Sequence, residues 1–300
     1  MTNKNNLKGS LILMITAMVW GASFVSQSVG ASILGPNSFN GIRMLLGALA
    51  LLPLAIITER KPVPGPKAKK KLFISGILCG SVLCAASTVQ TWGIQFTTPG
   101  KSGFITAMYI IFVPIISVVI GKKITLKTVV CALIATAGLY MLSVAGSGGS
   151  INRGDIITLV CAVLFAIHII LIDITATDVN VIAFSCIQFF TNAVINIILC
   201  LIFEHPSLNS ILQSTIPLLY SGLMSCGVAY TLQPLGQRYA DPSTASIIMS
   251  MESVFAVIFG IIILHSVPAP IEIVGCIVMF AAIVLSQLNI LEKKPEVNRR

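Results

Sequence analysis

Charge is what this chain has least of. Asp, Glu, Lys and Arg together make up 10% of its 300 residues, against about a quarter in ordinary globular chains. Acids are the scarcest charged group: 10 in the whole sequence, with only 3 histidines. No two carboxylates are clustered, and there is no HExxH, no Walker loop and no GxGxxG in a strand–turn–helix setting, so the patterns that serve acid–base, metallohydrolase and nucleotide chemistry are missing. A membrane-embedded enzyme would need ionisable or metal-binding groups gathered at one depth, and the sparse set here does not supply them. The reading is therefore not an enzyme, with no cofactor. The eight cysteines all lie inside apolar runs, with no CxxC and no Cys/His cluster. They read as small buried apolar residues, and neither a disulfide framework nor a metal site is expected. Short alternating strands, the mark of a membrane barrel, are also missing.

Apolar runs fill the space that charge leaves. Hydrophobic residues reach 56% and the mean hydropathy is +0.96. About 20 apolar residues cross a bilayer core as a helix, and nearly the whole chain consists of such segments. The fold class that follows is an all-α integral membrane protein with ten transmembrane helices. They fall near 9–29, 36–57, 72–95, 99–120, 126–145, 154–174, 179–203, 212–236, 243–264 and 268–289. The first run has Lys4 and Lys8 ahead of it but is too long for a signal peptide, and reads as a retained helix. Two connectors are distinctive: Thr58–Lys71 is rich in Pro and Lys, and Gly146–Gly154 is a flexible linker of the kind that joins halves.

The net charge of +9 is a matter of placement. With a cytosolic N-terminus, Lys4, Lys8, Arg60, Lys61, Lys67, Lys69, Lys70, Lys71, Lys122, Lys123, Lys127, Arg238, Lys293, Lys294, Arg299 and Arg300 fall inside. Only Lys101 and Arg153 fall outside, and Arg43 lies within a span. Basic residues stay on the cytosolic side, so both termini are expected there, in a multi-pass protein of the cell (inner/plasma) membrane. The basic excess is then a topology signal, and no nucleic acid partner is implied. The bilayer is the expected partner, and Lys67–Lys71 can also touch anionic lipid.

The chain repeats itself. Thr88–Ser102 and Thr231–Ala245 share Thr, Gln, Gly, an aromatic and Pro at a shift of 143: Thr88/Thr231, Gln90/Gln233, Gly93/Gly236, Phe96/Tyr239 and Pro99/Pro242. In the first two spans the shift is 145, matching Phe39, Arg43 and Glu59 with Phe184, Gln188 and Glu204. The domains read as a first five-helix repeat over 1–145, a linker at 146–153, a second repeat over 154–290 and a cytosolic tail at 291–300. Five is odd, so the second copy lies upside down relative to the first. Inverted repeats supply two nearly equivalent packings with a site between them near the midplane, the physical basis of alternating access.

Polar groups at mid-bilayer face the bundle interior or a wet cavity. The candidates for a substrate cavity are Trp20, Ser23, Gln90, Tyr109, His168, Gln233 and Glu252. Arg43, Gln188, Asn192 and Tyr230 form a second set, structural or secondary in role. Each has a bland alternative: amides and hydroxyls glue helices together for about 0.6 kcal/mol per contact, aromatics fill cores, His168 packs as a satisfied residue, and Arg43 snorkels. Glu252 is the sharpest case, because an acid at a helix centre costs on the order of 2–3 kcal/mol to insert. It reads either as a protonated structural residue or as a group that binds substrate, carries a proton or braces a moving helix. In the eighth run Cys226, Tyr230, Gln233 and Gln237 make a stripe at helical spacing, and Pro114 and Pro234 are candidate hinges.

Trp20-Gly21-Ala22-Ser23-Phe24, Arg43 followed by Met44-Leu45-Leu46-Gly47-Ala48, Gly103–Pro114 and Ala229–Phe255 carry a resemblance to the drug/metabolite transporter superfamily, in particular to EamA-type transporters. It extends from about residue 9 to 290. The family often ends its fourth and ninth spans with Gly-Glu, where this chain has Gly121-Lys122 and Leu264-His265, and it often has Glu-Pro where this chain has Glu252-Ser253. The resemblance implies translocation of a small-molecule substrate, commonly export of amino acids, related metabolites or drugs. A non-transporting receptor or scaffold on the same duplicated fold is the alternative. Glu252, His168 and Arg43 permit proton coupling, and facilitated diffusion fits equally well. Substrate identity, direction of transport and oligomeric state are left open at this point.

Overall fold

A computed structural model describes residues 3–59, 66–97, 99–143, 152–176, 178–264 and 269–287. The core of the 146–153 linker, residues 60–65 of the Pro- and Lys-rich connector, His265 and the 291–300 tail lie outside the described residues. The helices are α1 (Asn3–Ile33), α2 (Pro36–Glu59), α3 (Pro66–Ile94), α4 (Pro99–Ala107), α5 (Tyr109–Val119), α6 (Leu126–Ser143), α7 (Arg153–Thr175), α8 (Val181–Phe203), α9 (Leu208–Gln213) and α10 (Thr215–Leu219). A π-helical stretch, Tyr220–Ala229, then leads into α11 (Tyr230–Gln237), α12 (Pro242–Met249), α13 (Glu252–Leu264) and α14 (Pro270–Gln287). No strand occurs among the described residues. In hydrocarbon every backbone N–H needs a partner within its own segment, which favours helices. Eight helical passes are long and apolar enough to cross a membrane: Leu7–Ile33, Pro36–Thr58, Lys67–Ile94, Lys101–Val119, Arg153–Thr175, Val181–Phe203, Thr215–Gln237 and Pro242–Phe259. The other two expected spans are shorter apolar helices, Leu126–Met141 and Pro270–Ser286.

Helix neighbours follow the sequence repeat. Helix α2 packs on α8, and α6 on α14; each pair joins an element to its own counterpart. The α3–α7 contact is answered by α1 against the π-stretch and α11, and α3–α8 by the π-stretch against α2. Contacts of α4 and α5 with α7 are answered by contacts of α12 and α13 with α1. Exchanging the two halves maps this set of contacts onto itself.

Neither candidate hinge proline ends its helix. Pro114 lies inside α5 and Pro234 inside α11. The passes break instead at Met108, between α4 and α5, and at Ser250–Met251, between α12 and α13. Both breaks tighten in the same way at a shift of 143: Met108 N–H donates to Ile105 O (3.1 Å) and Met251 N–H to Ile248 O (3.2 Å). At the second break Ser246 and Ser250 also bond back to the carbonyls of Ser243 and Ile247, at 2.8 and 2.7 Å, an arrangement that bends helices.

One acid ties two helices end to end. Glu204, just past α8, accepts from Asn37 N–H (2.9 Å), Asn37 Nδ2 (2.8 Å), Ser38 N–H (2.7 Å) and Ser38 Oγ (2.5 Å). A carboxylate on the free N–H groups of a helix start satisfies orphan donors and complements the helix dipole. Glu204→Ala is expected to cost about 2–3 kcal/mol, and Glu204→Gln less. Thermal unfolding of the purified protein in detergent measures both, and an unchanged midpoint for the alanine variant would contradict the assignment.

Candidate functional site

A cavity opens where the two halves meet. Helix α1 contributes Trp20, Ser23, Phe24 and Gln27, while α2, α3, α4 and α5 contribute Arg43, Gln90, Thr106 and Tyr109. From the second half come Phe165 and Ile169 of α7, Ser225 of the π-stretch, Tyr230 and Gln233 of α11, and Glu252 of α13. Four pairs in this wall are register counterparts: Trp20/Phe165 and Phe24/Ile169 at 145, Gln90/Gln233 and Tyr109/Glu252 at 143. The last pair is in contact, with the Tyr109 hydroxyl donating to Glu252 Oε1 at 3.0 Å. Each of these two residues is the first of the half-helix that follows its break. The cavity volume is about 30 Å³, room for one or two waters.

A hydrogen-bonded chain in the first half holds part of this wall. Arg43 Nε donates to Asn40 Oδ1 (2.9 Å), Asn40 Nδ2 to Thr91 Oγ1 (3.0 Å), Gln27 Nε2 to Thr91 Oγ1 (2.8 Å) and Gln90 Oε1 (3.1 Å), and Gln90 Nε2 to Thr106 Oγ1 (3.2 Å). Trp20 stacks at a tilt on Tyr230, with ring centroids 4.7 Å apart. Of the fourteen side-chain polar atoms buried without a hydrogen-bond partner among the described residues, four stand together here: Trp20 Nε1, Ser23 Oγ, Arg43 Nη2 and Gln233 Oε1. All four belong to residues that line the cavity. Each unpaired buried polar group costs about 1–3 kcal/mol, so the cavity wall is short of polar partners that water or a polar solute can supply.

Of the cavity residues expected from sequence, Trp20, Ser23, Gln90, Tyr109, Gln233 and Glu252 lie in this wall. His168 does not. It is fully buried behind Tyr230, edge-on to that ring at 6.4 Å, with Nε2 at 3.2 Å from Gln188 Oε1. From the second set, Arg43 and Tyr230 line the cavity. Gln188 is engaged with His168, and Asn192 joins helices, donating to Ser87 Oγ (3.3 Å) and accepting from Asn196 Nδ2 (2.7 Å). Phe165 and Ile169 were absent from the sequence-derived set, although the 145 shift from Trp20 and Phe24 points to them. Thr106 had no signal of its own. Ser225, in the π-helical stretch, lines the cavity where the sequence stripe has Cys226; a π-turn widens the helical repeat beyond the 3.6 residues on which that stripe rests. Cys226 instead touches Met44 Sδ at 3.5 Å.

Two clasps close the opposite ends of the bundle. At one end Lys8 lies over the Tyr239 ring, 5.4 Å from its centroid. At the other Arg153 lies over Phe96 (5.3 Å) and Trp92 (5.6 Å). Lys8/Arg153 and Tyr239/Phe96 are register counterparts, so both ends use one cation–π contact. The Arg153 end adds charge: Asp155 accepts from Lys101 Nζ (2.8 Å) and Thr97 Oγ1 (2.6 Å), while forming a capping box with Asn152 at the start of α7.

Comparisons with known proteins fit this architecture. The chain is 29% identical to an "Uncharacterized transporter" of Archaeoglobus fulgidus, over 95% of this chain and 87% of the relative. It is 24% identical to "Uncharacterized transporter YoaV" of Bacillus subtilis, over 96% and 99%, and 23% identical to a "Probable terminal-alkyne amino-acid exporter" of Streptantibioticus cattleyicolor, over 95% of each. A solved structure titled "Crystal structure of protein" shares the fold with a TM-score of 0.76 and 14% identity, covering 93% of this chain and 96% of the other. The EamA-like transporter family matches twice, at residues 7–144 and 152–288. The chain belongs to the EamA-like transporter family.

Proposed function

We propose that the protein is a secondary transporter that carries small organic solutes across the cell membrane by alternating access. Two five-helix repeats, 1–145 and 154–290, joined by 146–153, lie inverted in the bilayer as ten spans, with the Lys8 end and both termini in the cytosol. The observation that carries the reading is the convergence of four unpartnered buried polar groups, drawn from both halves, on one central cavity. A scaffold has no use for that cost, whereas a carrier offsets it when solute enters. The cavity has room for only one or two waters, so a larger solute is admitted when one end parts. The matched clasps at opposite ends are the natural gates for that motion. The amino-acid exporter among the relatives favours outward transport of solutes of that size.

The test is counterflow in proteoliposomes holding the full chain, with a panel of amino acids, small carboxylates, amines and sugars. Counterflow needs no coupling ion, so it reads translocation whether or not protons are involved. A labelled solute is expected to accumulate transiently against its unlabelled form at rates well above protein-free vesicles. Binding of a solute without any exchange would favour a receptor, and would overturn the transporter reading.

A further inference from the structure

Arg43 is the one cation among the described residues of the cavity wall, and no ion pair among the described residues includes it. Its side chain is among the largest fully buried ones, 1% exposed. The hydrogen bond recorded for it runs from Nε to Asn40 Oδ1. Asn40 is itself held fast, with Nδ2 donating to Pro36 O (2.8 Å), Ser87 O (3.2 Å) and Thr91 Oγ1 (3.0 Å). That fixes its carbonyl oxygen toward Arg43. The guanidinium lies 5.3 Å from the Phe39 ring centroid. Nη2 is buried and without a partner. The ion pairs among the described residues are Lys71–Asp178, Lys101–Asp155 and Lys122–Asp173, and none includes Arg43. The acid that shares the cavity, Glu252, is hydrogen-bonded to Tyr109 instead.

We infer that Arg43 binds a carboxylate on the transported solute, with Asn40 and Phe39 positioning its guanidinium. This rests on the transporter reading. A buried cation needs an anion or several acceptors, and here the unpartnered nitrogen belongs to a residue of the cavity wall. Guanidinium matches the planar carboxylate through paired N–H donors. A phosphate carries close to two charges and would call for a second cation, which the described wall residues do not include. A purely structural role does not account for the charge. The register counterpart, Gln188, occupies the same place in the second half as a neutral amide, engaged with His168 and outside the cavity wall.

The test uses the full-length protein in detergent and in proteoliposomes, with four probes of one size: L-leucine, L-leucinamide, 4-methylpentanoate and 4-methylpentanamide. Parallel sets on alanine and phenylalanine vary the side chain. A bound ligand raises the unfolding midpoint by mass action. The two carboxylates in a set are expected to bind wild type at least tenfold more tightly than their amides. Arg43→Gln removes that discrimination, and Arg43→Lys keeps part of it. Equal binding of carboxylates and amides by wild type overturns the inference without any substitution, so a folding defect in a variant does not decide the matter. Discrimination that survives in Arg43→Gln also overturns it. Binding or counterflow of carboxylate-free solutes alone sinks the inference and leaves the transporter reading standing.

Discussion

Tyr109→Phe and Glu252→Leu are each expected to lower solute counterflow at least tenfold, and the double substitution no further than either single one. The two residues occupy one register position in the two halves, each opens the half-helix after a break, and they meet at 3.0 Å in the cavity wall. The contact therefore joins the two broken passes where one half faces the other. If transport moves those passes, both singles remove the same link, and a double-mutant cycle shows strong coupling, with tenfold equal to about 1.4 kcal/mol. Stability is expected to behave differently. Each single change leaves one buried polar group unpaired, at about 1–3 kcal/mol, whereas removing both partners is close to neutral. The double variant should thus regain thermal stability while transport stays low. Glu252→Gln keeps an acceptor for the Tyr109 hydroxyl and should fall between wild type and leucine. Additive losses in counterflow, or transport that recovers together with stability, would show that the pair only holds the bundle together.

Much of this site was legible because duplication writes itself in register. The shift of 143 pairs Tyr109 with Glu252 and Gln90 with Gln233, and both pairs line one cavity. What stayed hidden depends on geometry that residue spacing does not carry. The stripe through Cys226 assumed 3.6 residues per turn, but Tyr220–Ala229 is π-helical, which moves Ser225 into the wall. Proline was a candidate source of breaks, yet the helices end and restart at Met108 and Ser250–Met251, where backbone bonds tighten to i−3. His168 is the register counterpart of Ser23, but the larger ring sits behind Tyr230 while Ser23 faces the cavity. Arg43 read as a side chain near the outer end of its span, free to snorkel. Asn40 and Phe39, three and four residues before it, turn it inward.

Gly9→Val and Gly154→Val are expected to stop turnover almost completely and to expose the cavity from opposite sides. The two glycines are register counterparts, one beneath each clasp. A Cβ on Gly9 would lie 2.6 Å from the Tyr239 Cβ and 3.1 Å from Gly236 O. On Gly154 it would lie 2.6 Å from Gly93 O and 2.9 Å from the Phe96 Cβ. Such overlap with backbone and Cβ atoms is relieved only by moving the helices apart, and overpacking of a fitted contact costs about 1–3 kcal/mol or more. Gly9→Val therefore parts α1 from α11, and Gly154→Val parts α7 from α3. The measurement is labelling of Ser23→Cys, in a background without the native cysteines, by a membrane-impermeant maleimide applied to intact cells and to inside-out vesicles. Gly154→Val should label from the outside and Gly9→Val from the cytosolic side. Labelling from the same side in both, or counterflow at the wild-type rate, would remove the clasps from the mechanism.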